Sequence, residues 1–224
     1  LVTGVQTCAL PILEHHSNIV PWLMLCERKN LHLRIIPVLE NGTLDLEVYE
    51  KMLSERTKIV SITHISNTLG TINPVQWIIE KAHAVGAKVL LDAAQSIQHL
   101  PINVGELDCD FLVFSGHKVF GPTGIGILYG KTSVLEAMPP YQGGGDMIDQ
   151  VSFEKTSYAG LPLKFEAGTP NIAGAIGLGA AITYLNQIDL KGAFAHEAAL
   201  GEYLRKKMRN IESIRFIGDA PATC

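Results

Sequence analysis

Short apolar, β-branched runs alternate with longer segments of helical periodicity along most of the chain, and that alternation restricts the fold more than any other feature. LRIIPVL (33–39), KIVSITH (58–64), KVLLDAAQ (88–95) and DFLVFSGH (110–117) have the length and residue types of buried strands, and GIGILYG (124–130) follows as a fifth. Between them, LDLEVYEKMLSER (44–56) has helical spacing, with Thr43 placed to cap it. NPVQWIIEKAHAVGA (73–87) is a second helix, with Pro74 in its first turn and Gly86 at its end. Alternating strands and helices predict an α/β fold: a mostly parallel sheet covered by helices on both faces.

The rest of the chain divides by composition. Residues 138–163 are rich in glycine, proline and polar side chains, which predicts a long excursion outside any sheet; loops of that length serve as lids or interface arms. After FEAGTPN (165–171), two helices are expected at about 172–186 and 190–210, and SIRFIG (213–218) is expected to begin a strand. Residues 1–13, LVTGVQTCALPIL, begin without Met and lack the basic region of a signal peptide. They resemble a translated sequencing adapter and are set aside as a foreign leader. The expected organisation is that leader, a large domain over 14–186 lacking its N-terminal part, and over 187–224 a linking helix with the start of a truncated small domain.

Composition excludes several classes. A chain that is 47% hydrophobic and 18% charged can build a sizeable core. A net charge of -4 gives no electrostatic case for nucleic acid or an anionic membrane, and no apolar run is long enough to span a bilayer. The four cysteines, Cys8, Cys26, Cys109 and Cys224, form no CxxC pair and no disulfide framework, so a reducing, cytoplasmic setting is expected. Cys109 reads as a small buried hydrophobe.

In open α/β sheets ligands bind at the carboxyl ends of strands. His64 and Asn67 follow KIVSIT, Asp92 and Gln95 follow KVLL, and Ser115, His117 and Lys118 follow DFLVF, so one pocket could collect them. A lysine there, partly desolvated, would have its amine freed for Schiff-base chemistry; the alternative is a solvated loop charge. Ser115 and the amides of the glycine-rich turn GPTGIG can donate to phosphate, although the turn is not a P-loop. Asp92, ending an apolar strand, needs a partner, such as a protonated pyridine nitrogen; a helix cap or ion pair is the other reading. His15, in EHHSNIV, can stack on a flat cofactor and relay protons, or can simply cap the next helix. Glu14-His15-His16 lacks the spacing of helical metal ligands, so no metal is expected.

EHHSNIVPW, THISNTLGTINP, LLDAAQS, LDCDFLVFSGHKVFGPTGIGILYG and FEAGTPN, in that order, resemble the SufS-type (group II) cysteine desulfurases. Those enzymes belong with the selenocysteine lyases in the class V aminotransferase superfamily and use pyridoxal 5'-phosphate (PLP). The resemblance covers residues 14–218. It implies the large domain of the PLP-dependent transferase fold (fold type I), followed by the start of a small C-terminal domain.

The resemblance also implies roles. Lys118 would form the Schiff base with PLP and shuttle protons. Asp92 would pair with the pyridinium nitrogen, and Gln95 would bond the ring's 3'-oxygen. His15 would stack on the ring and act in acid–base steps. Ser115 and His117 would bind the phosphate, and Asn67 would sit near the 3'-oxygen or the substrate carboxylate. Gly168 and Thr169 would reach the phosphate of the partner subunit in a homodimer. The implied reaction takes sulfur from L-cysteine, leaving alanine, and passes it to an acceptor protein. The persulfide-forming cysteine and the substrate-gripping arginine are expected beyond residue 224, so this stretch alone is expected not to turn over. L-selenocysteine as substrate, another superfamily reaction such as epimerisation or kynureninase-like hydrolysis, and an inactive dimeric interaction module are the alternatives.

Overall fold

The computed structural model describes residues 6–218 and 220. Its first eleven elements are β1 (Thr7–Pro11), α1 (Val20–Lys29), β2 (His32–Ile36), α2 (Leu46–Met52), β3 (Thr57–Thr63), α3 (Val75–Ala84), β4 (Lys88–Asp92), α4 (Val104–Leu107), β5 (Phe111–Ser115), β6 (Gly126–Gly130) and α5 (Thr132–Ala137). A hairpin of β7 (Ile148–Val151) and β8 (Thr156–Tyr158) follows, then α6 (Ile172–Leu185) and α7 (Leu190–Met208).

Six strands form one sheet in the order β2-β1-β3-β4-β5-β6. The first five run parallel, and β6 closes the edge antiparallel to β5. The sequence-predicted strands and helices appear within a few residues of their expected positions, except for the strand expected at 213–218. The expectation that residues 1–13 stand outside the fold does not hold for 7–11. TCALP is β1, buried along its whole length between β2 and β3. A parallel strand covered on both faces carries no polar alternation, so its uniform apolarity fits an interior strand. Residues 1–5 lie outside the described residues, as does Cys224.

The two faces of the sheet are covered differently. Val60, Ile62, Val89 and Leu91 point to one face and pack with Tyr49 of α2 and Ile78, Ile79 and Ala82 of α3. Tyr49 is wholly buried, and its hydroxyl donates to the Ile78 carbonyl at 2.9 Å. Each such large side chain contributes roughly 1.5–3 kcal/mol by leaving water. Ser61, between Val60 and Ile62, points to the opposite face, as strand pleating demands, and donates to Asn18 Oδ1 just before α1. On that side Cys8 neighbours Cys26 of α1, and burial pushes the Cys8 thiol up to about 12. Cys8, Cys26 and Cys109 are all free and buried.

Local chemistry explains where the elements differ from expectation. The cap of α2 is Asp45, whose carboxylate accepts from Val48 N at 2.9 Å; Thr43 instead donates its hydroxyl to Asn41. Gly86, after α3, adopts φ +78°, the left-handed turn glycine tolerates best. The 138–163 excursion contains the β7–β8 ribbon, so it is not wholly irregular. Residues 213–218 form no strand.

At the amino edge of the sheet, Asp110 is fully buried and saturated with donors. It bonds His83 Nε2 at 2.8 Å, Val89 N at 2.9 Å and Lys88 Nζ at 3.0 Å. Burial alone would raise its pKa, but these three hydrogen bonds overcome that and hold the carboxyl below its ordinary value.

Candidate active site

Strand β1 feeds a connection to β2 on one side, and β3 lies on its other side. The winding of the sheet reverses there, and loops leaving neighbouring strands part at such a point. A cavity of about 280 Å³ opens at the carboxyl edge. His15 and Ser17 line it from the segment after β1. Thr63 and Asn67 come from β3 and its loop, Asp92, Ala94 and Gln95 from β4 and its turn, and Ser115, His117 and Lys118 from β5 and the turn beyond. Seven of the ten residues singled out from the sequence thus meet in one place.

Each is positioned by identifiable chemistry. Lys118 lies in a one-turn 3-10 helix, Gly116–Val119, whose return is closed by Gly121 N donating to Gly116 O at 2.9 Å. A Cβ on Gly121 would stand 2.8 Å from that same oxygen, so only glycine permits this closure. Val119 anchors the turn by packing with Leu178 of α6. Phe120 follows at φ +62°, a left-handed conformation that is costly for a bulky side chain. Lys118 is half-buried and forms no ion pair among the described residues.

Asp92 is 7% exposed. Its Oδ1 accepts from Ala94 N at 2.9 Å, the local turn bond allowed for in the capping reading, while Oδ2 has no hydrogen-bond partner among the described residues. His15 Nδ1 accepts from Ser17 N at 3.2 Å and lies 2.7 Å from Ser17 Oγ. A backbone N–H can only donate, so a neutral His15 carries its hydrogen on Nε2.

His64 is not among the cavity residues. It is buried, its Nδ1 lacks a partner among the described residues, and burial lowers its pKa, which keeps it neutral. Gly168 and Thr169 do not line the cavity of their own chain. They sit in a loop tied to the glycine-rich segment by Gly168 N donating to Gly145 O at 3.0 Å, and to the GPTG turn by Asn171 Nδ2 donating to Gly124 O at 3.1 Å.

Ser17 and Thr63 line the cavity without having been singled out, and Glu14 was missed as a supporting residue. Glu14 is 6% exposed; its Oε1 accepts from Thr63 N at 2.8 Å and its Oε2 from Asn18 Nδ2 at 2.6 Å. Asn18 in turn accepts from Trp22 Nε1 at 3.0 Å. Positions 14, 18 and 22 follow the four-residue spacing of a helical ladder, the one sequence signal that pointed to Glu14. Burial, with a smaller push from Asp92, raises its pKa to about 8 against the pull of its two hydrogen bonds.

A parallel-sheet α/β chain with a free lysine, an open carboxylate and an imidazole on one cavity has the parts for Schiff-base and proton-transfer chemistry. Comparison with known proteins narrows this. The aminotransferase class-V family model matches residues 6–224, and the chain belongs to that family. It is 55% identical over 93% of its length to a cysteine desulfurase of Synechococcus elongatus, covering 33% of that protein. It is 54% identical over 92% of its length to one of an Enterobacter species, covering 51%. Among solved structures, the apo cysteine desulfurase of Thermococcus onnurineus superposes with a TM-score of 0.89 at 37% identity, over 97% of this chain and 54% of that one. The chain therefore spans about a third to a half of the length of the curated relatives it matches.

Proposed function

We propose that this chain is the cofactor-binding part of a PLP-dependent cysteine desulfurase. The observation that carries the reading is the convergence of Lys118, Asp92, Gln95, Ser115, His117, His15 and Asn67 on one cavity at the carboxyl edge of the sheet. The donor set fits PLP. Asp92 offers an unpartnered oxygen to a ring N–H, Lys118 a free amine to an aldehyde, and Ser115 and His117 two donors to a phosphate beside the glycine-closed turn. When bound, PLP supplies an electron sink for a carbanion at the substrate Cα.

The chain's own residues do the rest. Asp92 would hold the ring nitrogen protonated, Gln95 would bond the 3'-oxygen, and Asn67 would sit near that oxygen or the substrate carboxylate. His15, with its hydrogen on Nε2, would cover the ring and act in acid–base steps. Lys118 Nζ takes the proton from Cα and returns it. Gly168 and Thr169 serve the phosphate of the partner subunit in a homodimer. The large domain extends to residue 186, where a short connection separates α6 from α7, and the small domain begins beyond it. In the longer protein, sulfur leaves L-cysteine for a thiol and then for an acceptor protein. Cys8, Cys26 and Cys109 are buried away from the cavity and are not assigned that role. Their free state supports a reducing, cytoplasmic setting.

The test is direct. The chain is mixed with PLP, reduced with borohydride, digested and mapped by mass. A pyridoxyl group confined to Lys118 supports the reading, and labelling spread over surface lysines, or none, defeats it.

A further inference from the structure

Residues 15–17 form an arch at the cavity, held between two buried feet. One foot is Glu14, whose Oε1 accepts from Thr63 N at 2.8 Å and whose Oε2 accepts from Asn18 Nδ2 at 2.6 Å. The other is Asn18, whose Oδ1 accepts from Trp22 Nε1 at 3.0 Å and from Ser61 Oγ of β3 at 2.5 Å. Glu14 and Asn18 are 6% and 5% exposed, whereas His15, His16 and Ser17 between them are exposed. The feet fix the backbone of the arch to β3, but the His15 ring is not packed into the core. The His16 ring is tilted to it by 37°, with 6.0 Å between centroids. The hydrogen bonds that orient His15 come from Ser17, whose Oγ lies 2.7 Å and whose N lies 3.2 Å from Nδ1.

Those two contacts are not equivalent. The backbone N–H can only donate, so it serves the lone pair of a neutral ring and opposes a hydrogen on Nδ1. The hydroxyl can do either. It donates to Nδ1 while the ring is neutral and accepts from Nδ1 when the ring is cationic. Because the neutral ring carries its hydrogen on Nε2, the proton it gains on becoming cationic goes to Nδ1, the atom that faces Ser17. Rotating one hydroxyl hydrogen then keeps the ring bonded in place. The other titratable groups around His15 are Glu14 and His16 on its own segment, Asp92 at the end of β4, and His117 and Lys118 beyond β5. Among the described residues none of these bonds Nδ1.

We propose that Ser17 is a positioning residue whose hydroxyl holds the His15 ring in one orientation while the ring changes charge. The neutral ring has two donors at Nδ1, the Ser17 N–H and O–H; the cationic ring has one acceptor there, Ser17 Oγ. The proton balance is simple: the ring takes its extra proton on Nδ1 from solvent or substrate, and Ser17 keeps its own hydrogen, which only turns away. A ring that relays protons works best when Nε2 occupies the same place before and after each transfer, and the hydroxyl supplies that constancy. The role in the reaction rests on the PLP reading, in which His15 covers the cofactor; the hydrogen-bond switch rests on the apo chain alone.

The test uses the full chain with histidine rings labelled with carbon-13 and nitrogen-15, followed by NMR. Ring nitrogen shifts report tautomer and charge, and ring relaxation reports order. His15→Gln assigns the signals by their disappearance. The unsubstituted chain, Ser17→Ala and Ser17→Thr are compared on both sides of the His15 titration, each side identified by its own nitrogen shifts. The unsubstituted chain should show a neutral ring with its hydrogen on Nε2, and an ordered ring in both charge states. Ser17→Ala should keep that tautomer, through the backbone N–H, and lose ring order chiefly in the cation; Ser17→Thr, which keeps a hydroxyl, should restore it. Four results overturn the switch: a neutral ring with its hydrogen on Nδ1, a Ser17→Ala cation as ordered as the unsubstituted one, equal loosening of both charge states, or a loss that Ser17→Thr fails to restore. The same comparison on chain whose Lys118 carries PLP tests the role in the reaction. Loss of order in the Ser17→Ala cation is expected there too, and a ring indifferent to the substitution overturns that role. If PLP labels nothing, the PLP reading fails and the role in the reaction with it, while the apo comparison decides the switch independently.

Discussion

Asp92 and Asp110 stand at opposite edges of one parallel sheet, both buried, and their surroundings differ in kind. Asp110, at the amino edge, has three donors within 3.0 Å. Asp92, at the carboxyl edge, has one backbone donor and one oxygen without a partner among the described residues. A buried carboxylate that is fully bonded holds structure together, whereas one left half-bonded is held ready for something to bind. The same contrast separates the edges as wholes: ion pairs gather at His83, Lys88, Asp108, Asp110 and Lys131, while Lys118, His15 and Asp92 surround a cavity.

The sharpest break in that contrast comes from Lys118→Ala. It should abolish the reducible PLP adduct while leaving the urea midpoint of the apo chain within error; an undiminished adduct would sink the assignment of the amine. Next in size is the pair Asp110→Asn and Asp92→Asn, compared by urea unfolding. Asp110→Asn should cost about 2–4 kcal/mol, because it strands donors around a buried site. Asp92→Asn should change stability by less than about 1 kcal/mol while weakening PLP binding. Equal losses would erase the distinction between the edges.

The edges should also answer pH with opposite signs. The Asp110 pKa is held low, so its stabilisation is present above the ordinary carboxylate value and disappears as pH falls through the depressed one. Glu14 is raised, so its contribution is complete below its ordinary 4.5 and is lost as pH rises toward 8. Unfolding followed across this range should show an acid-side loss that Asp110→Asn flattens. It should also show a decline between about pH 4.5 and 8, on the order of a few kcal/mol or less, that Asp110→Asn leaves in place. The smallest effect is expected from Phe120→Gly. It relieves a left-handed conformation at an exposed position and should gain about 1 kcal/mol at most, offset because the ring no longer packs edge-on against Tyr184. Thermal melting of the two chains side by side checks the sign.

What the sequence revealed follows the same division. Strands β3, β4 and β5 were legible because β-branched runs end in polar residues, and the rule that ligands gather at strand ends brought six residues, Asn67, Asp92, Gln95, Ser115, His117 and Lys118, to one cavity, with His64 left outside it. β1 was missed because TCALP falls within residues 1–13, which were set aside as a foreign leader, and the β7–β8 ribbon because glycine and proline dominate its surroundings. SIRFIG has the composition of a strand, yet pairing depends on a neighbour that its residues alone do not specify. Thr43 and Asp45 both suit a cap, and only the backbone geometry favours Asp45. Glu14 escaped notice because burial cannot be read from a residue that looks charged, and Gly168 and Thr169 could not be placed by any rule about their own chain's strand ends.

The lining residues sit at or just past the last residues of four strands, while most of the ladder that orders those strands lies behind them. Selection can therefore rewrite the chemistry of this edge one loop at a time without renegotiating the sheet. The exception is the turn that carries Lys118. Gly116 and Gly121 tie the amine's location to the backbone itself, so that one position should be the slowest to drift while its neighbours diversify.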